Sequence, residues 1–166
     1  MNELSNELSI EAKPENMDTV LDFINEHLGD CPSKVRNQIG IAVDEIFSNI
    51  ARYAYHPDVG GAVVRITVDN NITIEFEDNG IAYNPLSADD PDVSLSAEER
   101  EIGGLGVFMV KKIMDSVEYR REDNKNILTI KKKVDVFDSK EQGEVARAPG
   151  ASGEQGTKSQ YINKVE

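Results

Sequence analysis

Residues 44–80 read DEIFSNIARYAYHPDVGGAVVRITVDNNITIEFEDNG, and the apolar period changes within them. Ile46, Phe47, Ile50 and Ala54 recur every three or four positions, which is the stripe of a helix. His56-Pro57-Asp58 breaks that pattern and Gly60-Gly61 forms a turn. Beyond it Val64, Ile66 and Val68 alternate with Arg65 and Thr67, and Ile72, Ile74 and Phe76 alternate again. Asn70-Asn71 between the two runs is a turn signal. A helix that feeds a β-hairpin is an α/β unit.

The pattern extends in both directions. Val35, Ile39 and Val43 carry the helix back to Pro32-Ser33. Pro14 opens an earlier helix with Val20, Phe23, Ile24 and Leu28 on its apolar face and Gly29 as its stop. Leu8–Lys13 alternates like a short strand. On the other side, Asn84–Ile102 (NPLSADDPDVSLSAEEREI) is polar and irregular, and a loop of that length within a domain is usually functional or disordered. Gly103-Gly104-Leu105-Gly106 then opens a helix with Val107, Val110, Ile113 and Met114 on its apolar face. Ser116–Arg121 and Asn126–Val134 form a second hairpin about Asp123-Asn124-Lys125. Glu141–Lys164 is rich in Gly, Ser, Ala, Glu and Gln and has too little apolar surface to offset ordering entropy. The expected organisation is one domain, 1–136, and a disordered tail, 137–166.

The chain has 166 residues, 18 Lys plus Arg against 31 Asp plus Glu, and a formal charge of −13. Such a surface repels polyanions, so nucleic acid and anionic membranes are poor partners. No run approaches the roughly 20 apolar residues of a spanning helix, and Met1–Asn6 does not read as a secretory signal. Cys31 is the sole cysteine, which excludes an internal disulfide, and with His27 and His56 the only histidines a zinc site is implausible. The expected compartment is the reducing cytoplasm.

Three short motifs carry chemistry, and each has two readings. Glu45 and Asn49 are four apart and share a helix face. They are either a solvated face, or a proton acceptor beside a hard oxygen that suits Mg²⁺. Asp78-Asn79-Gly80 ends an alternating strand. It is either a hairpin turn, or an acceptor for an adenine amino group beside a glycine that admits the base. Gly103-Gly104-Leu105-Gly106 is either a plain loop-to-helix junction or a set of backbone N–H groups aimed at phosphates. It lacks the Rossmann context and the Gly-Lys-Ser/Thr of a P-loop.

In this order the motifs resemble the GHKL (Bergerat-fold) ATPase superfamily, and within it the anti-sigma-factor serine/threonine kinases of the RsbW-like family. The resemblance runs over roughly residues 8–134. It includes the stretch from Asn84-Pro85-Leu86-Ser87 through Ala97-Glu98-Glu99-Arg100 as a nucleotide lid, Met114–Tyr119 and Asn126–Thr129. It implies an α/β (α+β) two-layer sandwich, with a mostly antiparallel mixed sheet and helices on one face. It further implies ATP and Mg²⁺, with Asn49 ligating the metal and Glu45 as general base. Asp78 and Gly80 would receive the adenine, Gly104, Leu105 and Gly106 would lie along the phosphates, and Thr129 would support the base. Arg100 is either a γ-phosphate ligand from the lid or a solvated loop arginine. Tyr53 stands where many relatives carry His and is expected to pack. Ala82 replaces a glycine of the wider superfamily, as the anti-sigma branch often does.

A stand-alone domain of this size, with no transducer region and no phosphoacceptor hairpin, is similar to the anti-sigma kinases. The implied activity is phosphorylation of a serine on a STAS-type anti-sigma-factor antagonist, alternating with sequestration of a sigma factor. The resemblance also implies a homodimer. The alternative is a catalytically inactive nucleotide-binding regulatory module.

Overall fold

The fold is that of a computed structural model, which describes residues 6–87 and 105–134, with Leu105 described in its backbone only. The expected lid residues 88–104, including Arg100, Gly103 and Gly104, and the tail 137–166 lie outside the described residues. Strand β1 spans Glu7–Glu11, helix α1 Met17–Leu28, helix α2 Ser33–Asn49, β2 Gly61–Val68 and β3 Asn71–Asp78. Helix α3 spans Leu105–Ile113, β4 Ser116–Glu122 and β5 Lys125–Lys133. Pro14 starts a single 3₁₀ turn, Pro14–Asn16, and α1 follows it.

The sheet order is β1-β2-β3-β5-β4. Every described pairing is antiparallel, so the expected mixed character is absent among the described strands. Asp123 and Asn124 both take positive φ, 51° and 61°, the conformation a tight β4–β5 turn needs. Asn79-Gly80, by contrast, makes no hairpin: β3 lies between β2 and β5, and the chain leaves the sheet after Asp78.

Alternation sorts the sheet into two faces. Val64, Ile66, Ile72, Ile74, Phe76, Leu128 and Ile130 are buried on the face that packs with Val20 and Ile24 of α1, Ile39, Val43 and Phe47 of α2 and Val110 of α3. The helices therefore form one layer and the sheet another, as expected. The other face carries charge. Arg65 reaches Glu7 at 2.7 Å, Glu75 at 3.0 Å and Glu77 at 2.8 Å, and Lys125 reaches Glu77 at 2.8 Å. β5 departs from simple alternation: Asn126 to Thr129 and Ile130 are all buried, because its strand lies between β3 and β4.

Helix α2 does not run as an α-helix to Ala54. It ends at Asn49 and passes into a five-residue π-helical turn, Ile50–Ala54. Wider turns of this kind re-aim backbone carbonyls and recur at functional sites. Ala54 O is so placed, accepting from Ile81 N at 3.0 Å.

Two outcomes test this packing. Phe47 is fully buried, and Phe47→Ala should cost about 3–5 kcal/mol in denaturant unfolding. The hydrogen bonds from Lys125 and Arg65 hold the Glu77 carboxyl below its ordinary value of 4.5. A depressed folded value stabilises above the unfolded one and is lost as the pH falls through it. Glu77→Gln should therefore be less stable than wild type at neutral pH, with the difference closing below pH 4.5.

Candidate nucleotide site

The candidate residues meet where the end of α2, the end of β3 and the start of α3 converge. Glu45 and Asn49 lie on one face of α2, as their spacing requires, and Asn49 Nδ2 donates to Glu45 Oε1 at 3.1 Å. That bond turns the Asn49 carbonyl oxygen away from Glu45, leaving it as an acceptor. Opposite them stands Gly106, in the first turn of α3. A Cβ there would collide with both oxygens of the Glu45 carboxylate. The structure thus brings Glu45, Asn49 and Gly106 together.

Asp78 is buried at the end of β3. Its Oδ1 accepts from Gly80 N and from Asn126 Nδ2, both at 2.9 Å. Gly80 is required, though for a different neighbour than expected. A Cβ would strike the carbonyl carbon and oxygen of Ala54, so the glycine admits the protein's own backbone. The Ile81 N to Ala54 O bond closes this joint between β3 and the π-helical turn. Tyr55 braces it from below, accepting from Asn79 N at 2.8 Å and donating to Gly61 O. Burial pushes the Tyr55 hydroxyl above its ordinary pKa.

Two expectations need correction. Thr129 is not beside Asp78. It pairs with Glu75 and Glu118, whereas Asp78 pairs with Asn126, so alternation puts Thr129 on the charged face. Asn126 occupies the place expected for Thr129 and was missed, because nothing in a lone Asn at a turn marks its partner. Nor does Tyr53 pack: it is 56 % exposed, and Tyr55 is the packing tyrosine. Ile81 and Tyr83 are also exposed, so apolar surface remains open within five residues of Asp78. The described residues hold no cluster of three or more His, Cys, Asp or Glu. A divalent cation at Asn49 would draw its other ligands from phosphate and water, the usual manner of Mg²⁺.

The sequence model of the histidine kinase-like ATPase domain matches residues 10–132. The chain belongs to this family. Among its relatives is the serine/threonine-protein kinase BtrW of Bordetella bronchiseptica, 28% identical over 101 residues, which are 59% of this chain and 70% of BtrW. The serine-protein kinase RsbW of Bacillus cereus (strain AH820) is 31% identical over 96 residues, 55% of this chain and 60% of RsbW. The match thus spans less than two thirds of RsbW. Of solved structures, that of the RsbU and RsbW domains of Rv1364c from Mycobacterium tuberculosis is similar with a TM-score of 0.52. Its identity is 15%, over 78% of this chain and 33% of that one, so the likeness concerns the fold. The GHKL-like ATPase fold and the resemblance to RsbW-like kinases hold. In this histidine kinase-like ATPase domain no described helix is long and apolar enough to cross a membrane.

The two glycines should respond differently to alanine. Gly80→Ala meets rigid backbone and should cost about 1–3 kcal/mol in thermal unfolding. Gly106→Ala meets a side chain that can swing aside, so its loss should stay within about 1 kcal/mol.

Proposed function

We propose that the chain is an ATP-dependent serine/threonine protein kinase. Its substrate is a serine hydroxyl on a STAS-type anti-sigma-factor antagonist, and it alternates this work with sequestering a sigma factor. The contact of the Glu45 carboxylate with Asn49 and Gly106 carries the reading, since it sets a proton acceptor beside a hard oxygen ligand and an open backbone. The names of BtrW and RsbW support the same activity.

The donor set suits Mg·ATP. Asn49 offers a neutral carbonyl oxygen, and Gly106 offers backbone without a side chain. Gly104 and Leu105 would offer further backbone to the phosphates, and Arg100 would be a ligand for the γ-phosphate. Mg²⁺, when bound at Asn49, would neutralise phosphate charge and so ease transfer of the phosphoryl group. Asp78 accepts the adenine amino group, and exposed Ile81 and Tyr83 offer apolar faces to the base. Glu45 takes the proton of the serine hydroxyl as its oxygen bonds the γ-phosphorus. The bond from that phosphorus to the β–γ bridging oxygen breaks, and ADP leaves. Thr129 has no part in this site. The domain acts in the cytoplasm as a homodimer, within the boundaries 1–136.

Thermal unfolding with ATP, with and without Mg²⁺, tests the site. ATP at 100 times its dissociation constant stabilises by about 2.7 kcal/mol, or about 5–10 °C here. The Mg²⁺-dependent part should vanish in Asn49→Ala. Glu45→Gln should keep the shift while phosphate transfer to a purified STAS partner falls about 10²–10⁴-fold. ATP binding by wild type with no transfer to any cognate STAS protein would leave the regulatory-module reading in place of the kinase.

A further inference from the structure

The side chain of Asn126 makes five hydrogen bonds. Its Oδ1 accepts from the Tyr119 hydroxyl at 2.6 Å, from Arg121 Nη1 at 3.0 Å and from Tyr83 N at 3.3 Å. Its Nδ2 donates to Ile81 O at 2.8 Å and to Asp78 Oδ1 at 2.9 Å. The amide has one chemically sensible orientation. A guanidinium and a backbone N–H only donate, so they must face oxygen, and the Ile81 carbonyl only accepts, so it must face nitrogen. Arg121 Nη1 also donates to Gly80 O at 3.0 Å, tying the amide to the same turn.

The consequence falls on Asp78. Two N–H donors, from Asn126 and Gly80, occupy the lone-pair directions of Oδ1. Among the described residues no donor reaches Oδ2, and that oxygen is not a sealed, unpartnered atom. The Asp78 residue is buried, yet among the described residues its carboxylate presents one oxygen that receives no donor.

We infer that Asn126 is the residue that sets base specificity: by holding Asp78 Oδ1 it leaves a one-oxygen acceptor that takes adenine and refuses guanine. This rests on the reading above that Asp78 receives the base. Adenine offers one amino donor beside a ring acceptor. Guanine offers two adjacent N–H donors, which a carboxylate takes best with both oxygens, as in other bidentate pairs. Its neighbouring carbonyl oxygen adds an acceptor where adenine has its amino group. With Oδ1 already engaged, the bidentate mode is closed. Asn126 acts through Asp78 and is a positioning residue.

Dissociation constants of Mg·ATP and Mg·GTP, measured by calorimetry on the full chain, test this in wild type, Asn126→Ala and Asn126→Asp. Wild type should prefer ATP by about 100-fold or more, since a site built for one donor pattern rejects the other. Asn126→Ala vacates one lone-pair direction of Oδ1 while Gly80 N keeps the other, and the preference should fall about tenfold or more, in part because GTP gains. A residue that only held the fold together would weaken both nucleotides alike and leave the ratio. Asn126→Asp is isosteric and sets a second carboxylate against Asp78. Sharing a proton restores the bridge, so its ATP affinity should rise as the pH drops from about 8 to about 5.5, while wild type stays level. Equal affinities in wild type, or an unchanged ratio in Asn126→Ala with a level pH profile in Asn126→Asp, would overturn the inference and leave the nucleotide site standing. Wild type that binds neither nucleotide would remove the site itself and the inference with it.

Discussion

The site is organised by the two hydrogen bonds that Asp78 Oδ1 accepts, from Gly80 N and Asn126 Nδ2. A carboxylate at the end of a buried strand is costly unless its oxygens are partnered. Both partners come from constraints set elsewhere. Gly80 N can turn back only because Gly80 has no Cβ to meet the Ala54 carbonyl. That carbonyl is in place because α2 ends in a π-helical turn. Asn126 is opposite because the β3–β5 ladder pairs it directly with Asp78. The chain can lose none of these features without leaving a buried acceptor short of donors.

Register links the charged face of the sheet to the site. A slip of one residue between β3 and β5 would move Asn126, Leu128 and Ile130 to the outer face. On the inner face the slip is opposed by burial of Ile74 against Ile130 and Phe76 against Leu128. On the outer face it is opposed by cross-strand pairs: Glu77 with Lys125 and Arg65, and Glu75 with Arg65 and Arg120. Each partly exposed pair contributes little alone. Spread over β2, β3, β4 and β5, they favour one alignment out of several, and that alignment seats the amide against Asp78.

The helices and hairpins were legible because their apolar residues repeat at 3.6 or at 2, and the one-sided burial that such periods imply is what the fold shows. Glu45 and Asn49 were legible for the same reason, since spacing alone stacks them. The partner of Asp78 was not. From the sequence β5 offers Asn126 and Thr129 as polar residues within a strand, and which of them faces Asp78 depends on pairing between residues 48 apart. Burial of five consecutive residues also hides the alternation that would have separated the faces. Asn79-Gly80 misleads locally for a related reason. The dipeptide suits a tight hairpin, but β3 already has a neighbour on each side, so the chain must leave the sheet there. The π-helical turn has no sequence signature at all, because Ile50 and Ala54 satisfy an α-helical stripe equally well.

Electrostatics gives the proposed site its order of assembly. The chain carries −13, and the carboxylate of Glu45 lies against Gly106 within the site itself. A bare triphosphate brought there meets like charge in a partly dehydrated setting, where repulsion is stronger than in water. The described residues contain no acidic or histidine cluster able to hold a metal beforehand. Asn49 is neutral and supplies one oxygen. The divalent ion would therefore arrive with the nucleotide, its charge already spent on phosphate oxygens. The carboxylate would then face a nearly compensated group instead of an anion. In that order Glu45 would stand as a base close to phosphate without expelling it, and the acidity of the surface would be compatible with binding an anion.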